Sequence, residues 1–171
     1  MDTKKRIADS MFNLLKSNSF DKITVQTILD DCKVSRSTFY RYFDDKYELM
    51  NWCYQSYVDT LLSMDGRKRL HLIYQFLDDN HKYFERATKV HGKNSFLDFL
   101  YNYTYNLYKG IYLKNTNSSE LSDEARVILE YACAGAVHIL DNWLNNGRKE
   151  SVSEMAEWTF NLIPEIYRQY L

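Results

Sequence analysis

Proline and glycine are scarce, with one proline (Pro164) and five glycines in 171 residues. So few backbone breakers exclude a many-turned β architecture and point to helices. Cysteine is scarce too: positions 32, 53 and 133 give an odd count with no C-x-x-C spacing. That pattern excludes a disulfide framework, and a reduced, cytoplasmic protein is the expectation. No apolar run approaches the roughly 18 residues of a membrane span, so no membrane partner is expected. The opening MDTKKRIADSMF interrupts its apolar positions with Asp9 and Ser10, which is not the pattern of a signal peptide. Neither sign of charge dominates, the net being −1; residues 1–46 hold nine Lys/Arg against seven Asp/Glu. Such a balance does not exclude nucleic acid, because affinity needs cations on one face rather than a large net charge. The four histidines (His71, His81, His91, His138) include no i, i+4 pair, and no phosphate loop or nucleophile elbow occurs. No metal, no cofactor and no enzyme chemistry is expected.

Apolar residues are plentiful at 45%, with 15 tyrosines and nine phenylalanines. Their spacing is helical. Ile7, Ala8, Met11, Phe12, Leu14 and Leu15 form one stripe, which should stop near Ser17-Asn18-Ser19 with Asn in a left-handed cap. Thr24 is a good N-cap for a short helix holding Val25, Ile28 and Leu29. A break at Cys32-Lys33-Val34 follows, and Ser35 caps a second short helix, Arg36 to about Phe43, with Phe39 inward. Asp45 and Glu48 form a D-x-x-E variant of the capping box for a long helix ending near Asp65-Gly66. Further helices are expected at 67–87, 93–113, 122–145 and 152–170, with Ser122 and the full capping box Ser151-x-x-Glu154 as starts. The fold class is all-α.

Three short helices, the second and third about four residues apart, satisfy the helix-turn-helix pattern, whose third helix projects into a major groove. Arg36 and Arg41 can pair with guanine edges or phosphates, Ser37 and Thr38 are small donors, and Tyr40 and Tyr42 offer hydroxyls to phosphates. Thr24 and Lys46, at helix N-termini, are placed for phosphate contact. On pattern alone, SRSTFYRYF is equally an amphipathic surface helix with solvated arginines.

The run ITVQTILDDCKVSRSTFYRYFDDKYELM (23–50) resembles the DNA-binding region of TetR-family regulators, whose pattern V-S-x-x-T-x-Y-x-Y-F is followed by K-x-x-L. Val34, Ser35, Thr38, Tyr40, Tyr42, Phe43, Lys46 and Leu49 match in register. The resemblance implies a helix-turn-helix domain at 1–47, a helical dimerisation and effector domain at 48–171, and a homodimer on a palindromic DNA operator. It implies DNA contacts from Thr24, Val25, Arg36, Ser37, Thr38, Tyr40, Arg41, Tyr42 and Lys46. Two positions depart from the family: Lys33 stands where Gly is common, and Cys32 where Ala is common. A non-glycine at that turn has a cost if its φ is positive.

The stretch 131–158 also resembles the C-terminal region of some members. By that resemblance Gly135, Leu140, Trp143, Leu144, Met155, Trp158, Leu162 and Ile166 lie at a four-helix dimer interface; the plainer alternative buries them within one subunit. An effector pocket would draw on Trp52, Phe99, Tyr103, Leu107 and His138. Tyr101, Tyr105, Tyr108 and Tyr112, at helical spacing, read more simply as core. The functional expectation is a dimeric repressor released from its operator by a small molecule. The alternative is the same fold controlled by a partner protein, as a regulator or coactivator without a small-molecule ligand.

Overall fold

Asp2 accepts the Lys4 amide at 3.0 Å and starts the first helix, α1 (Thr3–Ser17), in the computed structural model, which describes residues 2–92 and 94–171. A 3-10 turn (Phe20–Lys22) leads to α2 (Val25–Cys32), α3 (Arg36–Tyr40), α4 (Lys46–Asp59), α5 (Gly66–Asp79) and α6 (His81–Ala87). Then come α7 (Phe96–Thr116), α8 (Asp123–Asn145), α9 (Val152–Leu162) and α10 (Glu165–Arg168). There is no strand among the described residues, and no helix is long and apolar enough to cross a membrane.

The caps fall where the sequence puts them, at Thr24, Ser35, Asp45, Ser122 and Ser151, each side chain accepting a first-turn amide. Several boundaries differ from expectation. Asn18 ends α1 in an extended conformation (φ −124°), not a left-handed one; its amide and its side-chain Nδ2 both donate to the Leu14 carbonyl at 2.9 Å. The helix α3 stops at Tyr40, and α4 stops at Asp59, before the expected Asp65-Gly66. The helix expected at 67–87 is two helices broken at Asn80 (φ −119°, ψ 25°), because apolar spacing on either side of the break looks alike. The last helix breaks at Pro164. The residue before a proline avoids helical angles, and Ile163 sits at φ −63°, ψ 124°.

Contacts group the chain into two compact units, one of residues up to Leu61 with Asn80–Phe96, the other of Leu62–Asp79 with Leu97–Leu171. The expected boundary at 47 lies inside α4. In the first unit α1 packs against α2, α4 and α6 around Ile7, Met11, Leu15, Ile28, Phe39, Leu49, Tyr83 and Phe84, all buried. Tyr83 stacks on Phe12 with centroids 4.4 Å apart and donates its hydroxyl to the Met50 carbonyl at 2.8 Å. In the second unit α5 packs on α9, and the Tyr74 and Thr159 hydroxyls lie 2.8 Å apart. Leu129, Cys133, Ile163 and Tyr167 form a core cluster that Tyr101, Tyr105, Tyr108 and Tyr112 pack against. All three cysteines are free and buried.

Candidate nucleic-acid interface

The helix-turn-helix is held from below by Phe20, Ile23, Ile28, Phe39 and Phe43, each 4% exposed or less. Full burial of that many apolar side chains, each contributing about 1.5–3 kcal/mol, fixes α2 and α3 as a rigid platform. At the turn, Lys33 adopts φ 53°, ψ 49°, the left-handed region that glycine usually fills, and its amide donates to the Leu29 carbonyl. A lysine there costs about 1 kcal/mol, which the surrounding core absorbs without altering the turn.

Capping then orders α3. Ser35 Oγ accepts the Thr38 amide at 3.1 Å and lies 2.8 Å from Thr38 Oγ1 and 3.0 Å from Ser37 Oγ. With Phe39 inward, Ser37, Tyr40 and Arg41 share the opposite face at i, i+3 and i+4, and all are exposed. Tyr40 is 48% exposed, braced edge-on by Phe39 at 5.3 Å. Arg36 is exposed at the start of α3, and its Nη2 donates to Gln26 Oε1 at 3.2 Å, while Gln26 Nε2 donates to Asp30 Oδ1 at 2.8 Å. Gln26 therefore aims Arg36, a role that sequence reasoning missed. Its only signal was a polar residue on the open side of α2, opposite Ile28 and Leu29. Thr24 is exposed at the head of α2, its Oγ1 taking the Thr27 amide at 3.0 Å, and Val25 and Tyr42 are half-buried beside this face.

Lys46 is placed differently from a free phosphate ligand. Its Nζ donates to the carbonyls of Phe20 (3.0 Å) and Ile23 (2.8 Å) and lies 4.2 Å from the Phe20 ring centroid. Burial lowers its pKa, with Asp21 pulling the other way. Two of its three N–H groups thus tie α4 to the turn that precedes α2. The cap that starts α4 is also a variant: Asp45 accepts the Tyr47 and Glu48 amides, both at 2.8 Å. Glu48 returns to the Asp44 amide at 2.6 Å, one residue further back than in a standard box.

The five residues expected around an effector divide between the units. Trp52 belongs to the first, half-buried against Phe43 (5.7 Å) with Lys4 Nζ 4.7 Å from its ring. Phe99, Tyr103 and Leu107 lie half-buried on α7, the two rings stacked at 5.6 Å, and His138 is exposed on α8 beside Asn142 (2.9 Å). The eight expected at a dimer interface also divide. Leu140, Trp143, Leu144 and Met155 are buried within the single chain, Ile166 is half-buried, and Gly135, Trp158 and Leu162 are exposed. Val127, Tyr131 and Ile139 are exposed on α8 as well, Tyr131 at 83%. Among the described residues no group of three or more His, Cys, Asp or Glu is placed to hold a metal.

Residues 7–52, spanning this platform, match the family described as bacterial regulatory proteins of the tetR family, and residues 68–165 match a transcriptional regulator C-terminal region. The chain belongs to the TetR family of transcriptional regulators. This regulator is 29% identical over 89 residues to the HTH-type dhaKLM operon transcriptional activator DhaS of Lactococcus lactis, a match covering 49% of this chain and 48% of that protein. The matched stretch spans about half the length of that relative. A solved structure named dihydroxyacetone kinase operon activator DhaS aligns over 98% of this chain and 97% of its own, at 26% identity and a TM-score of 0.67. A TetR regulator from Streptococcus agalactiae shares the fold over 95% of this chain and 94% of its own, at 18% identity and a TM-score of 0.65. The regulator is thus an all-α, DNA-binding member of a family whose members bind DNA and form dimers.

Proposed function

We propose that this regulator binds a two-fold symmetric operator as a homodimer, inserting α3 of each subunit into successive major grooves. The exposed α3 face, with Arg36, Ser37, Tyr40 and Arg41 on a platform fixed by Phe39, carries the reading. Arg36, Ser37, Thr38 and Arg41 read bases, while Thr24, Val25, Tyr40 and Tyr42 position the backbone. Lys46 acts mainly by holding the head of α2. A dimer supplies two copies of α3 for half-sites about 34–36 Å apart, and the exposed Tyr131, Trp158 and Leu162 supply the apolar surface for it.

On the direction of control, likeness over nearly the whole chain to a protein named as an operon activator favours activation over a ligand-released repressor. Deleting the gene lowers transcription of the target under activation and raises it under repression. Operator binding itself is tested with duplexes selected from a randomised pool. Arg36→Ala should weaken binding by about 1–3 kcal/mol and relax selectivity at one base pair of each half-site. Selection of no symmetric sequence, or an unchanged affinity in folded Arg36→Ala, would defeat this reading.

A further inference from the structure

The Gln26–Arg36 bond is one link of a longer chain. Gln26 and Asp30 are four residues apart on α2, so both lie on one exposed face of that helix. Gln26 Nε2 donates to Asp30 Oδ1 at 2.8 Å, and Gln26 Oε1 accepts from Arg36 Nη2 at 3.2 Å. A carboxylate only accepts and a guanidinium only donates, so the amide has one orientation that makes both bonds. Turned over, it would set its oxygen against Asp30 and its NH2 against Arg36. Asp30 therefore fixes the direction of Gln26, and Gln26 that of Arg36. The helices beneath are fixed as well: Ile28, Leu29 and Phe39 are buried, and the Val34 amide donates to the Leu29 carbonyl across the turn at 3.3 Å.

The bond engages one of the five N–H groups of the guanidinium and leaves the others free, enough for two parallel bonds to a guanine edge. Arg41 is exposed too, but its side chain makes no hydrogen bond or ion pair among the described residues. A long side chain that is ordered only on contact loses rotamer freedom at that moment, which weakens binding about 2- to 12-fold. Arg41 bears that cost in full, whereas Arg36 is already directed before DNA arrives.

We propose that Gln26, backed by Asp30, is a specificity-determining positioning residue. Without touching a base, it holds the Arg36 fork in its reading direction and so sets the preference at one base pair of each half-site. This rests on the proposed reading of bases by Arg36. It separates two properties that one arginine usually joins: the charge of Arg36 supplies affinity for any duplex, and the Asp30–Gln26 brace supplies discrimination between duplexes.

The test measures the affinity of full-chain variants for the selected operator and for the same duplex altered at each base pair in turn. Gln26→Met keeps a straight stem and a similar helix propensity at an exposed position, so the fold is retained. Its affinity for the selected operator should fall about 2- to 12-fold. Its affinity for the duplex altered at the Arg36 base pair should stay level, because the charge of Arg36 is kept. Added to Arg36→Ala, Gln26→Met should cost nothing more, as expected of a residue that acts through Arg36. Gln26→Glu combined with Asp30→Asn reverses the polarity of the first bond at constant net charge: the new amide donates to the new carboxylate, which still accepts from Arg36. This double variant should restore the selectivity that Gln26→Met loses. Wild-type selectivity in Gln26→Met, a further loss when it is added to Arg36→Ala, or no rescue by the double variant overturns the inference. An Arg36→Ala variant as selective as the wild type overturns the base-reading role of Arg36, and this inference with it. A defective Arg36→Ala beside an unaltered Gln26→Met strikes the inference alone.

Discussion

Lys46 shows how one side chain changes role when its neighbours are known. As the lysine of K-x-x-L at a helix N-terminus it is expected to contact phosphate, but two backbone carbonyls occupy most of its hydrogen-bonding capacity. Lys46→Met should leave both carbonyls without a donor and lower stability by about 1–3 kcal/mol, read by denaturant unfolding. Operator affinity should fall, while the slope of log affinity against log salt changes by clearly less than the ~0.9 that one lost phosphate contact gives. A full unit of slope lost would return Lys46 to the phosphate. Lys33 makes the converse point. A family template predicts glycine there, the chain supplies lysine, and the turn forms all the same at φ 53°.

Among the elements, the caps are where local chemistry decides most. Glu154 donates nothing and accepts twice, from the Ser151 hydroxyl at 2.7 Å and the Ser151 amide at 2.8 Å, and these bonds lower its pKa, the side-chain bond most. A carboxyl lowered on folding contributes stability above its ordinary value of 4.5 and loses it as the pH falls through the lowered value. Ser151→Ala should bring the Glu154 titration, followed by NMR, back towards that ordinary value; an unmoved titration would show that the box does not set it. Starts of helices were legible because Thr24, Ser35, Asp45, Ser122 and Ser151 announce themselves by residue type. Ends and breaks were not, since Asn80 interrupts a stretch whose apolar period continues on both sides, and α4 stops at Asp59 without a glycine. At the interface, exposure of Ser37, Tyr40 and Arg41 followed from Phe39 facing inward. The Gln26–Arg36 bond did not, because it joins residues on two helices whose crossing no local pattern encodes.

At the scale of the molecule, the proposed dimer rests on what the single chain leaves uncovered. Leu140, Trp143, Leu144 and Met155 are spent on the subunit's own packing, whereas Tyr131, Trp158 and Leu162 are not. Trp158→Glu combined with Leu162→Glu should leave folding of the monomer intact, since both are surface positions, and shift sedimentation towards the single chain. Operator affinity should fall with it, because one half-site contact set is lost per binding event. A variant that still sediments as a dimer would move the interface elsewhere.

The burial of Cys32, Cys53 and Cys133 has a practical side. Burial pushes the Cys53 and Cys133 thiols up to about 12 and raises that of Cys32, so little thiolate is present at neutral pH. A cysteine introduced on the surface, at Ser153 for example, would react with maleimide dyes far faster than the native three. Labelling at one chosen point per subunit then needs no cysteine-free background. Distances between two labels in a DNA-bound assembly could be measured on a protein whose interior has not been altered.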